Sequence, residues 1–155
     1  MRQPSLYEYL DSKHALYDAM FADGNRQLLA RLGALRPSRN PRTGLKAWLA
    51  TFAGFALEDE ARYELLFQRH IPGFTPSPES YALADEVLDG LVALLNDTGV
   101  TNQSDVDCII AVTAGLIDAQ LANDPGGTRW TRHLHRLVDL LVDDATTKEK
   151  RPWQP

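Results

Sequence analysis

Apolar residues recur three and four positions apart in segment after segment, while stretches that alternate apolar and polar are nearly absent, so the chain reads as all-α. Ser12 is placed to cap a long first helix with the stripe Leu16, Met20, Phe21, Leu28, Leu32 and Leu35, which Pro37 and Pro41 end in a basic loop. The next stripe runs Leu45, Trp48, Leu49, Phe52, Phe55 and Ala56, and the acidic run Glu58-Asp59-Glu60 marks its end. A shorter helix carries Tyr63, Leu66, Phe67 and His70. Three prolines and a glycine make the segment from Ile71 to Pro78 a loop, and Ser77-Pro78 reads as the cap and first position of the helix after it. That helix shows Ala84, Val87, Leu88, Leu91, Leu94 and Leu95 on one face, and Asn96 to Gly99 close it.

The following segment differs in kind. Ser104 with Asp107 resembles a capping box, and then Val106, Ile109, Ile110, Ala111, Val112, Ala114, Leu116, Ile117, Ala119 and Leu121 surround the helix instead of striping it. A helix apolar nearly all round has to be covered on both sides. After the turn Asp124-Pro125-Gly126-Gly127, Thr128 caps a last helix with Trp130, Leu134, Leu137, Val138 and Leu141 inward. A chain of 155 residues has little spare surface to sandwich the preceding helix, so a second copy is the natural cover. The expected homodimer interface is a four-helix layer built by the last two long helices of each chain, through Val112, Leu116, Ala119, Leu134, Leu137, Val138 and Leu141. The segment 146–155 is polar and reads as a flexible tail.

Composition adds limits. Apolar residues make up 44% and charged residues 24%, which excludes a disordered or fibrous chain. The single cysteine, Cys108, rules out an intramolecular disulfide and fits a cytoplasmic protein. The longest apolar stretch, Cys108 to Ile117, is far short of the roughly 20 residues of a membrane span. The net charge of −5 is unevenly spread: the first 43 residues hold seven basic and four acidic side chains, a net of +3, which leaves −8 elsewhere. A basic end on an acidic body is the distribution expected where only that end meets a phosphate backbone.

The start of the chain, Ser5-Leu6-Tyr7-Glu8-Tyr9-Leu10-Asp11-Ser12-Lys13-His14-Ala15-Leu16, resembles the end of the helix-turn-helix of TetR-like transcriptional regulators. In that family the recognition helix ends in a Leu-Tyr-x-aromatic-aromatic run, and a short turn leads to a lysine that opens the next helix. Leu6-Tyr7, Lys13 and Leu16 fall in register, and Leu10 stands where the family more often has phenylalanine. The resemblance implies a TetR-like helical bundle in three parts: a remnant of the DNA-binding head over 1–12, a ligand-binding and dimerisation body over 13–145, and the tail. It implies phosphate contacts for Tyr7 and Lys13, and base or backbone contacts for Arg2, Gln3 and Ser5. It further implies a ligand-responsive DNA-binding regulator, a repressor, whose effector tilts the long helix and so alters the fit of two heads to DNA half-sites. The helices that support a recognition helix in that family have no counterpart in this sequence. Two expectations therefore stand: a regulator whose operator DNA is read by a fuller head, or a headless ligand-binding or protein-interaction dimer without DNA activity of its own.

The family's body holds a small apolar or amphipathic effector, and this sequence has material for such a site. Trp48, Phe52, Phe55, Tyr63, Phe67, Phe74 and Tyr81 cluster in consecutive elements, with Arg62, His70, Thr113, Ile117 and Gln120 as further candidate contacts. The same aromatic stripe serves equally as plain core, and both readings remain open here. Asp118 is a carboxylate inside a nearly all-apolar helix and requires either a watery cavity or a partner, Arg129 or Arg132 across a dimer being the candidates. Enzyme readings find little support: there is no Gly-rich phosphate loop, nucleophile elbow or histidine-glutamate metal motif. His133 and His135 lie two apart on a helix and point in different directions, and nothing calls for a metal or cofactor.

Overall fold

The periodicity resolves into six α-helices. The computed structural model describes residues 6–68 and 70–147, with no strand among them. The long first helix, α1 (Leu6–Gly33), begins before the expected cap: it passes through Ser12 without a break, and the Ser12 hydroxyl donates to the Tyr9 carbonyl one turn back. A serine hydroxyl satisfied that way neither starts nor stops a helix. At about 1.5 Å per residue, α1 is about 42 Å long. Its two halves are unlike. Leu6, Tyr9, Leu16 and Met20 stand in solvent, whereas Phe21, Ala22, Asn25 and Leu28 are buried.

Pro41 opens α2 (Pro41–Glu58), with the Asn40 side chain accepting from the Thr43 N–H. Asp59, in extended conformation, both ends α2 and caps α3 (Glu60–Tyr63), which widens into a π-turn over Glu64–Gln68. That turn sits close on α1: a Cβ on Gly24 would lie 3.0 Å from the Leu66 side chain, so glycine lets the two elements meet. Ser77 and Pro78 start α4 (Pro78–Asp97) as the sequence predicts. Gly99, at φ +89°, closes it, and the Val100 N–H reaches back to the Leu95 carbonyl.

The capping serine expected for α5 (Gln103–Asn123) is displaced by Asn102, whose side chain accepts from the Ser104 N–H. The last helix also starts later than Thr128: a 3₁₀ turn over Thr131–His133 leads into α6 (Leu134–Thr147). Thr146 and Thr147 thus belong to α6, and the remainder of the expected tail lies outside the described residues.

The helices share one core. α4 lies along α1, and α2 sits between them and the pair α5 and α6, touching all four. Leu28, Leu45, Leu49, Leu95, Val100, Ile109, Ile117, Val138 and Val142 are almost fully withdrawn from water. Lys46 pairs with Asp139 at 2.5 Å and Arg42 with Asp143 at 2.6 Å, fastening α2 to α6 from outside. Such half-exposed pairs each contribute about 1 kcal/mol or less, so apolar burial dominates. No helix among the described residues is long and apolar enough to cross a membrane.

Candidate ligand cavity

A concavity opens where α2, α4 and α5 meet α1 and the segment from Tyr63 to Pro76, lined mainly by aromatic and branched side chains. It holds about 530 Å³, within the range of small-molecule sites. Trp48, Leu49 and Phe52 of α2 form one wall, and Tyr63, Phe67 and Gln68 of α3 and its π-turn a second. The loop residues Ile71, Phe74, Thr75 and Pro76 and the α4 residues Tyr81, Ala84, Val87, Leu88 and Leu91 continue it, while Ile110, Thr113, Ala114 and Asp118 of α5 complete the lining. Phe21, from the first buried turn of α1, also faces it.

The aromatic rings form a connected run. Trp48 stacks on Phe52 with centroids 5.7 Å apart, Phe52 meets Phe67 edge-on at 5.1 Å, and Phe67 meets Tyr63 at 5.7 Å. These separations are favourable for aromatic pairs. The run ends on a polar group: the Tyr63 hydroxyl donates to Asp118 Oδ1 at 3.0 Å, and Gln68 Nε2 donates to the same oxygen at 2.8 Å. Burial first, then the bond to Asp118, raises the Tyr63 phenol to about 12. Asp118 makes no ion pair with Arg129 or Arg132 within this chain; its described partners are a phenol and an amide.

One edge of the cavity is tied to α1. Asp18 accepts from the Ser77 N–H at 2.7 Å, the Ser77 hydroxyl at 2.9 Å and the Ser80 hydroxyl at 2.8 Å. The Ser77 N–H, opposed by partial burial and aided by the two hydroxyls, keeps the Asp18 carboxyl below its usual 3.8. A single carboxylate of α1 therefore holds the cap of α4, between the cavity residues Pro76 and Tyr81. Two rings of α1 and the loop meet nearby, Tyr17 against Phe74 at 5.7 Å.

Of the candidate ligand contacts, Trp48, Phe52, Tyr63, Phe67, His70, Phe74, Tyr81 and Thr113 line the cavity, as does Asp118. Four do not. Phe55 is 1% exposed and packs beneath two guanidinium groups, Arg62 at 3.7 Å and Arg31 at 5.0 Å. Arg62 is committed elsewhere, donating to the Phe55 carbonyl at 2.7 Å, and borders a separate groove beside α1 with Asp59 and Gln27. Ile117 is core, fully buried. Gln120 stitches the α5–α6 connection: its Oε1 accepts from the Trp130 N–H at 2.9 Å and its amide donates to the Asp124 carbonyl and, at 3.1 Å, to the Asp124 carboxylate. A buried amide spent on three loop groups has nothing left for a ligand. Among the lining residues missed, Phe21, Leu49, Leu88, Leu91 and Ile110 sit on stretches already legible as apolar, and spacing alone does not separate cavity wall from filled core; Gln68, a polar residue beside Phe67, carried no signal.

The proposed interface residues divide similarly. Leu116, Leu134 and Val138 are buried in the chain's own core, with Val112, Ala119, Leu137 and Leu141 half-buried beside it. Helix geometry accounts for this: α5 turns Val106, Ile109, Thr113, Leu116, Ile117 and Gln120 inward, and its outward face carries Asp107, Cys108, Ala111, Gly115, Asp118 and Ala122. On α6 the exposed large apolar side chain is Leu140.

Of the expected DNA contacts, Arg2, Gln3 and Ser5 lie outside the described residues. Tyr7 falls within α1, and Lys13 is exposed with its ammonium 5.6 Å from the Tyr17 ring. No cluster of His, Cys, Asp and Glu among the described residues is arranged to hold a metal ion. No protein-family model, curated protein or solved structure matches the chain.

Proposed function

We propose that this chain is the effector-binding and dimerising body of a TetR-like transcriptional regulator, acting as a repressor on operator DNA and responding to a small molecule in the aromatic cavity. The observation that carries this reading is the position of Phe21. It stands in the cavity wall and belongs to the same uninterrupted helix as Lys13, so an occupant touches the element whose far end resembles the reading head. Asp18 adds a second mechanical link, because any displacement of Pro76 or Tyr81 moves the α4 cap that it holds. The exposed Leu6, Tyr9, Leu16 and Met20 supply the apolar surface on which a helical head would pack.

A second copy completes the molecule in this reading. The outward face of α5 carries the small Cys108, Ala111, Gly115 and Ala122, which allow close helix approach, with Asp118 exposed among them, and Leu140 is the exposed large apolar side chain of α6. The matching face of a second copy forms the four-helix layer. Introducing a charge with Ala111→Arg is expected to convert dimer to monomer in sedimentation, with the helical content kept; an unchanged dimer would move the interface elsewhere.

The continuity of α1 favours one rival. Because no turn separates Tyr9 from Lys13, a short reading helix is not set off from the long one, which suits a ligand-binding dimer without DNA activity. Two measurements on the full chain decide. Neutral aromatic and apolar compounds are screened by thermal shift, with Phe52→Ala as the cavity control: stabilisation of the native chain, lost in the variant, supports an effector site. A gel shift with the promoter fragment beside its own gene, with and without each stabilising compound, then tests regulation. Ligand-sensitive retardation supports the regulator, and ligand binding with no retardation supports the rival.

A further inference from the structure

We infer that the cavity selects a lipophilic organic cation, an amine or quaternary onium with aromatic or alkyl substituents, whose positive centre lies against Asp118. This deepens the proposal that the cavity is an effector site and rests on it.

Among the described residues the lining carries one carboxylate, one imidazole, that of His70, and no lysine or arginine. Asp118 is that carboxylate. Its two described donors, the Tyr63 hydroxyl and Gln68 Nε2, both go to Oδ1, so Oδ2 keeps its acceptor capacity. Neither donor is charged, and no described basic side chain lies within 4 Å. Asp118 is exposed at the rim of the cavity, so a cation at the end of the aromatic wall reaches its carboxylate without either charge being fully withdrawn from water, and at a protein surface the two attract more strongly than in bulk solvent. The remaining walls act in the same sense. The run Trp48, Phe52, Phe67 and Tyr63 leads to Asp118, and aromatic faces attract cations through their quadrupoles. Beyond the first 43 residues the chain is −8, a field that gathers cations and repels anions. A neutral occupant would use the rings and leave Asp118 idle; an anion would meet the carboxylate directly. The cavity, about 530 Å³, accommodates several rings.

The test uses three probes of related shape and different charge on the full chain, by isothermal titration: tetraphenylphosphonium, tetraphenylborate and neutral triphenylphosphine oxide. The cation is expected to bind at least about tenfold more tightly than the neutral probe, with no binding by the anion. Asp118→Asn is expected to remove about tenfold from the cation and leave the neutral probe unchanged, with thermal unfolding of the variant reported alongside to show that it is folded. Phe52→Ala should weaken cation and neutral probe together. Equal affinities of cation and neutral probe, or a cation affinity indifferent to Asp118→Asn, overturn the inference while leaving the effector site standing. That is also the pattern expected if a basic residue of a second copy neutralises Asp118. Failure of all three probes to bind overturns it too, and the neutral-compound screen above then decides separately whether the cavity takes an effector.

Discussion

Tyr63 is 2% exposed, and its hydroxyl is the hinge between an apolar wall and a carboxylate. Because its folded value is raised from 10.0 to about 12, the phenol stabilises the fold fully below pH 10, and that contribution is lost as pH rises through about 12. Tyr63→Phe is expected to cost about 1 kcal/mol at neutral pH, from the lost hydrogen bond, and to flatten the alkaline fall in stability; urea denaturation at both pH values reads this. Asp18 has the opposite sign. Held below 3.8 by the Ser77 N–H foremost, it contributes stability that is present above the ordinary carboxylate range and lost as pH falls through its lower folded value. Asp18→Asn should destabilise by about 1 kcal/mol at neutral pH, allowing for solvent screening, with the gap to the parent chain closing in acid. A gap independent of pH would mean that Asp18 acts through shape and not charge. Neither role is visible in the sequence, where Asp18 and Tyr63 are one more helix-surface acid and one more apolar-stripe aromatic.

At the scale of the element, cap positions separate local from contextual information. Ser77-Pro78 was legible because serine before proline leaves few alternatives, and the break at Glu58-Asp59-Glu60 because a run of acids ends an apolar stripe. Asn102 and Ser104 are both good caps two residues apart, and the choice fell to the one with extended backbone, Asn102 at φ −87° and ψ 131°. Asn102→Ala should therefore cost about 1 kcal/mol in thermal unfolding, while Ser104→Ala stays within about 0.5 kcal/mol; the reverse order would restore the capping box. Ser12 failed as a cap for a related reason. Nothing between Leu6 and Ser12 breaks the helix, so its hydroxyl turns back on the Tyr9 carbonyl. Within one chain the outward face of α5 is left to small exposed residues, Ala111, Gly115 and Ala122, and to Asp118.

Across the whole molecule, the same apolar periodicity feeds two fates. Trp48 and Phe52 face open space, while Phe55, on the same helix, lies under Arg31 and Arg62, and Ile117 is sealed between α5 and its neighbours. Ile117→Ala should cost about 2–5 kcal/mol in chemical denaturation and leave the affinity of a cavity ligand unchanged in whatever fraction remains folded. A loss of ligand affinity out of proportion to stability would return Ile117 to the cavity wall. The sequence alone determined the all-helical class, the number and order of the long helices, and most of their apolar faces, because helical spacing and proline are local properties of a chain. It also placed aromatic residues where a cavity formed. Only the tertiary structure decided which apolar side chains line that cavity and which fill the core, that Gln120 secures a loop, and that Asp118 is met within the chain by a phenol and an amide. The reason is physical: periodicity reports that a face is turned from water, but what lies opposite depends on residues tens of positions away, brought there by the packing of other helices.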